Sequence, residues 1–246
     1  MKCELCKTDK PLLKKSHIIP DFMYEGLFDE KHFTSLVKLD ELRIIGKKPT
    51  GFYDKNILCK KCDNEIIGQH ESYASKILHG GKFSERLKYK ITSFSKDQGA
   101  GKLSVENIDY KKFKLFLLSM LWKGHISKNE FFKSINLGQK YSEEIRKMLL
   151  NEDPGKETDF ETMIVMYSKD FLPAKMLIPP RKVRMSNTIC YLIHIQGVSF
   201  LYKVSSGHRL ESFENSKLRE DNSAQFYVLE GEIARSFYNS LTGVPA

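Results

Sequence analysis

No apolar stretch in this 246-residue chain approaches the roughly eighteen residues of a membrane-spanning helix, and the longest, around Leu115 to Trp122, is interrupted and too short. That excludes a helical membrane protein and predicts a soluble one. The first residues, Met1-Lys2-Cys3-Glu4-Leu5, carry no hydrophobic signal segment, so the expected compartment is the reducing cytoplasm. Internal repeats and low-complexity segments are absent, which excludes a repeat array. Tryptophan occurs once, at Trp122.

Acidic residues are the scarcer sign, 31 against 40 Lys and Arg, for a formal charge of +9. The basic excess sits in the first two thirds of the chain. A polyanionic partner is the natural inference, beside the plain alternative of a lysine-rich solvated surface. Hydrophobic residues make up 41%, enough to build a core, and the length suits one large or two modest domains.

Of five cysteines, four form two pairs, Cys3-x-x-Cys6 and Cys59-x-x-Cys62. Two-residue spacing lets both thiolates of a pair turn onto one ion, and four sulfurs at roughly 2.3 Å satisfy tetrahedral Zn²⁺ with no open position. Such a site is closed and therefore structural. Two disulfides are the rival, disfavoured by the tight loops and the expected compartment. Cys190 lies in the apolar run Ile189-Cys190-Tyr191-Leu192-Ile193 and reads as a buried core thiol.

The coarse element pattern divides the chain. Lys2 to Leu13 reads as a zinc knuckle and short strand, Ser16 to Pro20 as the second half of a hairpin, and Phe22, Met23, Leu27 and Phe28 as a short helix. Phe33 to Thr50 reads as an inserted strand-and-loop segment, and a helix is predicted from Cys59 or Cys62 to about Leu78, stopped by Gly80-Gly81. Ser93 to Lys102, with Gln98-Gly99-Ala100-Gly101, reads as a linker. Tyr110 to Lys123 is a strongly apolar helix; Ser127-Lys128-Asn129-Glu130 has a capping-box pattern opening a second through Ile135, and Ser142-Glu143-Glu144 caps a third. Beyond Pro154-Gly155 strands are expected at Glu161 to Tyr167, at Met176 to Ile178, and as a hairpin, Thr188 to Ile195 and Val198 to Ser205, around Gln196-Gly197. Glu230 to Leu241 closes the chain as a helix. The expected class is α+β: a zinc-stabilised domain over 1–95, then 96–246, a helical segment leading into an antiparallel-sheet region of unassigned role.

The string Cys3-x-x-Cys6, Ser16-His17-Ile18-Ile19-Pro20, then Ile57-Leu58-Cys59-Lys60-Lys61-Cys62-Asp63-Asn64 resembles the HNH endonucleases, the zinc-supported branch of the His-Me finger (ββα-metal) nucleases. The resemblance covers about residues 1–80. It implies a β-hairpin and helix around one catalytic divalent ion, Mg²⁺ or Mn²⁺, with His17 as the general base that takes a proton from the attacking water. It places the metal-ligand position on Asp63 or Asn64, where helix N-capping uses the same residue types. Ser16 stands where many members carry a ligating Asp, and Asp54 and Asn56 are the two candidates for the residue that braces the hairpin loop. Glu71 falls on the Asn64 face of the helix as a supporting residue. Lys14, Lys15, Lys47, Lys48, Lys60 and Lys61 flank the motifs and suit phosphate contacts.

The resemblance implies an endonuclease that hydrolyses phosphodiester bonds in nucleic acid, with double-stranded DNA expected ahead of RNA, in a setting such as restriction or phage defence. The later helices and sheet would then position substrate, form a homodimer or receive an activating protein partner. The alternative is a noncatalytic zinc-dependent nucleic-acid-binding module, which Ser16 favours and His17 with Asp63-Asn64 disfavours. A third reading is a scaffold that uses zinc only to fold.

Overall fold

In the computed structural model, residues 1–31, 34–38, 43–48, 51–78, 89–95, 99–168, 177–204, 210–214, 216 and 218–243 are described. The first cysteine pair lies on a tight turn: the Cys3 N–H donates to the Thr8 carbonyl at 3.0 Å and the Lys7 N–H to the Cys3 carbonyl at 2.8 Å, with Lys7 left-handed at φ 57. The chain then extends into β1 (Ser16–His17), and Pro20 hands it to a 3-10 helix, Asp21–Leu27, at the predicted short helix. The insertion follows as an antiparallel hairpin of β2 (Thr34–Lys38) and β3 (Arg43–Lys48). Strand β4 (Tyr53–Asp54) returns to pair antiparallel with β1, Ser16 opposite Asp54 and His17 opposite Tyr53.

That pairing corrects the expected local hairpin. Leu12 bridges Cys59, the Leu13 N–H donates to the Leu58 carbonyl at 2.8 Å, and the Asn56 N–H donates to the Leu13 carbonyl at 2.9 Å. Residues 12 to 17 thus run along one partner segment with a bend at Lys14, and that partner lies across the whole insertion. The insertion separates the cysteine pairs in sequence while the ribbon joins them in space.

From Lys61 to Ile67 the backbone takes a wide π turn, closed by the Gly68 N–H on the Asp63 carbonyl, and then continues as α1 (Gly68–Leu78). Such turns shift the helical face by one residue and recur at functional positions. Ile67, Ala74 and Ile77 are buried as predicted, while Ile66 and Tyr73 pack partly exposed against the same core. The proposed stop at Gly80-Gly81 lies outside the described residues.

Strands β5 (Tyr89–Ser95) and β6 (Ala100–Val105) form an antiparallel hairpin where the sequence suggested a linker. Gly99 sits at φ 63, a Cβ there would come within 2.7 Å of the Glu230 carbonyl, and its own carbonyl accepts from the Glu230 N–H at 2.7 Å. Its glycine serves a tight turn packed on a neighbour, not chain freedom. The division between 1–95 and 96–246 falls inside this hairpin. Limited proteolysis is therefore expected to spare residues 99–105 in early digests; a first cut at Gly99 or Gly101, located by mass spectrometry, would mean that the hairpin opens.

Helix α2 (Tyr110–Ile126) begins at Asp109, whose side chain accepts from the Lys112 N–H, and 13 of its 17 residues are buried. A helix apolar on all sides is one enclosed by other elements. A single 3-10 turn, Glu130–Phe132, replaces the helix expected through Ile135, because the Ser127 hydroxyl is drawn to Asp54 and Asn129 caps Phe131 instead. Helix α3 (Gly138–Asn151) starts earlier than Ser142, through Gly138 at φ 68 with its N–H on the Asn136 side chain.

Next come β7 (Thr162–Tyr167), β8 (Leu177–Met185), β9 (Thr188–Ile195), β10 (Val198–Lys203), the short helix α4 (Glu211–Glu214), β11 (Ala224–Leu229) and α5 (Gly231–Thr242). Seven strands form one sheet in the order β5-β6-β11-β7-β10-β9-β8. It is mixed, not wholly antiparallel: β11 runs parallel to β7, Tyr227 opposite Val165, a pairing that the long connection between them permits. Strand β8 crosses Pro179-Pro180, with its register broken between Ile178 and Arg181, and the sheet edge tolerates both prolines. Gln196 and Gly197 turn with φ 49 and 73, as the predicted hairpin requires.

Alternation along the strands builds two cores. Ile164, Tyr191, Ile193, Phe200 and Tyr202 face a cluster that includes α2, α1 and the cysteines, while Met163, Val165, Cys190, Leu192 and Leu201 face α5 through Ala234, Tyr238 and Leu241. Cys190 is buried as expected, and burial pushes its thiol up to about 12. The first cluster is contiguous from Cys3 to Phe226.

Candidate metal centre and adjoining cleft

The ribbon and the π turn bring the Sγ atoms of Cys3, Cys6, Cys59 and Cys62 within 4.8 Å of one another. All four are free thiols, and Cys3, Cys59 and Cys62 are buried. Tetrahedral ligation at roughly 2.3 Å needs sulfurs about 3.8 Å apart, so the cluster fits Zn²⁺. The Cys59 N–H already donates to Cys3 Sγ at 3.3 Å, the kind of contact that stabilises a thiolate. Burial drives the Cys3 and Cys62 thiols upward; at Cys6 burial also raises the pKa, but the Thr8 hydroxyl and N–H outweigh it and bring it to about 6. A bound dication would favour the thiolate at each position.

Beside this centre opens a cleft of about 520 Å³ that collects the motif residues. His17 enters it from β1, Asp63 and Asn64 from the π turn, and Glu71 from α1, and Lys15 and Asp21 also line it. His17 Nε2 has no hydrogen-bond partner and lies 3.7 Å from Asp21 Oδ1, while its ring stands edge-on to Tyr53 at 6.3 Å. Burial lowers its pKa; Asp21 opposes this, and the charges of Lys123 and Lys15 reinforce it. The ring is therefore neutral near pH 7, the state of a proton acceptor.

Asp63 responds the other way. Burial pushes its carboxyl up to about 6 against the pull of Lys123, with Glu71 adding to the rise; the Ser16 hydroxyl nearby lowers it slightly, although Ser16 Oγ is fully buried without a well-formed hydrogen bond. A carboxyl raised from 3.8 to about 6 gives a stabilising contribution that is complete below 3.8 and lost as pH rises through about 6, leaving an unfavourable buried charge at neutrality. Asp63→Asn is thus expected to raise Tm at pH 8 by roughly 2–6 °C and to leave it nearly unchanged at pH 4, measured by thermal unfolding without added divalent cations. An equal gain at both pH values would assign the effect to packing.

The two bracing candidates make different contacts. Asp54 Oδ2 accepts from the Ser127 hydroxyl at 2.6 Å and the Lys128 N–H at 2.8 Å, tying β4 to the end of α2. Asn56 acts through its backbone at φ 58, a conformation that asparagine tolerates. Lys14, Lys60 and Lys61 are exposed but do not line the cleft, and the side chains of Lys47 and Lys48 lie outside the described residues. Lys15 does line it, its ammonium 4.8 Å over the Tyr53 ring.

Four cleft residues, Asp21, Ser72, Ser75 and Lys123, escaped the sequence reading, and the last is the most deeply buried. Lys123, 1% exposed on α2, pairs with Glu71 Oε1 at 2.5 Å. The available signal was a lysine interrupting the apolar run after Trp122. His125 and His194 are engaged in the fold, the first accepting from the Leu137 N–H and the second 2.8 Å from Ser199 Oγ; His32, His79 and His208 lie outside the described residues.

Among the described residues, no second group of three or more His, Cys, Asp or Glu side chains converges as the cysteines do. Asp63, Asn64 and Glu71 line the same cleft, and the Glu71 carboxylate is engaged by Lys123. No protein-family model, no curated protein and no solved structure matches the chain.

Proposed function

We propose that the cleft is the active site of an HNH-type, metal-dependent endonuclease acting on nucleic acid, DNA in preference to RNA. The observation that supports it is the placement of His17 and Asp63 on the walls of one cleft, beside a four-cysteine cluster suited to Zn²⁺. In this reading the His17 imidazole, held neutral by burial, accepts the proton of the attacking water. Asp63, with Asn64, offers oxygen donors to Mg²⁺ or Mn²⁺, which when bound would neutralise charge on the phosphate and the leaving oxygen. Zinc holds the ribbon against the helix and thereby fixes His17 relative to Asp63. The net charge of +9 draws in the polyanion.

Incubation of purified protein with supercoiled plasmid and with single-stranded RNA tests this directly. Nicked or linear plasmid is expected with Mg²⁺ or Mn²⁺ and none with chelator. Intact plasmid under both metals, together with measurable DNA binding, would instead favour the noncatalytic zinc-dependent module, the reading that neutral Ser16 supports. Roles in restriction or phage defence, a homodimer and an activating partner belong to the same proposal and are tested only after cleavage.

A further inference from the structure

Every described residue lining the cleft comes from positions 15–75 except Lys123, which α2 delivers from beyond the sequence motifs. Its side chain is buried in a helix enclosed on all sides, and its ammonium meets the Glu71 carboxylate at the cleft wall. The helix's other buried lysine, Lys114, turns away and donates to the carbonyls of Asp159 and Phe160. A buried ammonium is costly to desolvate and is retained where a partner or a function offsets that cost.

An ammonium has three donors, of which the Glu71 contact uses one. Lys15, the other cationic wall residue, is exposed and lies over Tyr53. Lys123 is already ordered by packing, so contacting an anion costs it little further rotamer entropy. A phosphodiester placed for attack near His17 enters a cleft that also holds Asp21, Asp63 and Glu71, and it needs a fixed positive group. We propose that Lys123 is a phosphate-contacting residue of this cleft and that Glu71 is its positioning residue, so that α2 completes a site begun by the N-terminal segment. The proposal rests on the nucleic-acid reading above.

The test uses full-length protein in a His17→Ala background, so that substrate binds without being cut, and follows a fluorescent DNA duplex by anisotropy across a salt series. Lys123→Met is expected to weaken binding at least about tenfold and to reduce the slope of log K against log salt by about one, the signature of one lost phosphate contact. Lys123→Arg should keep the slope, and Glu71→Gln should weaken binding less, with the slope kept. Should Lys123→Met fail to fold, Lys123→Gln carries the same comparison, because it retains a donor for Glu71. An unchanged slope in the folded charge-removing variant, or an equal loss in Lys123→Arg, overturns the assignment. Wild-type plasmid cleavage is measured beside it. No cleavage with a Lys123-dependent slope removes the nuclease reading and keeps the phosphate contact; cleavage with a Lys123-independent slope does the reverse.

Discussion

Replacing His17 by alanine is expected to lower plasmid cleavage by at least about a hundredfold, the lower end of what a positioned general base contributes. The fold should survive. His17 is 30% exposed, its Nε2 satisfies no other group, and its removal forfeits mainly the edge contact with Tyr53. Zinc content, thermal unfolding and DNA affinity should therefore match the wild type, which separates loss of chemistry from loss of structure. The pH profile adds a second signature. Burial depresses the His17 pKa, so with Mg²⁺ at saturation, which keeps Asp63 ionised, the wild-type rate should hold through neutrality and fall as pH drops through that lowered value, where the ring gains a proton. The residual rate of His17→Ala should lack this acidic limb. Cleavage retained at the wild-type level would remove His17 as base and with it the mechanism proposed here.

Cys59→Ala carries the largest expected structural effect. Purified wild-type protein should contain about one zinc per chain, and loss of one thiolate from a four-sulfur site should release it. In zinc-finger peptides metal binding contributes about 10–16 kcal/mol of apparent free energy, which is folding free energy when no site exists in the unfolded chain. Here the cysteines belong to the same apolar cluster as α2 and the inner face of the sheet. Zinc loss should then lower the stability of the whole chain instead of unfolding a separate N-terminal unit. Metal analysis with circular dichroism checks both points; full zinc retention in Cys59→Ala excludes the site.

The cysteine spacing and the hairpin at Gln196-Gly197 were legible because local chemistry decides them: two thiols two residues apart, and a turn that accepts positive φ at both positions. The apolar helix at Tyr110 was equally plain. What sequence reading missed was decided at a distance. β1 found its partner across the insertion, Ser127 left its capping role for Asp54, and Gly99 proved to be packed against Glu230. The cleft was half legible. Its motif residues announced themselves by type and order, but Lys123 belongs to it only through the packing of α2 on α1, which periodicity along one helix does not reveal.

The 56-position step from Cys3 to Cys59 also sets an order of events during synthesis. At about 5–20 residues per second, the first cysteine pair waits roughly 3–11 seconds for the second to be made, exposed as free thiols in the meantime. Even then the cleft lacks one wall until α2 has left the ribosome. If Lys123 grips the phosphate as proposed, a nascent chain carries His17 and its zinc while still unable to hold a substrate firmly. The proposed site would then be complete once the chain through Ile126 has emerged, while the rest of the sheet is still being made.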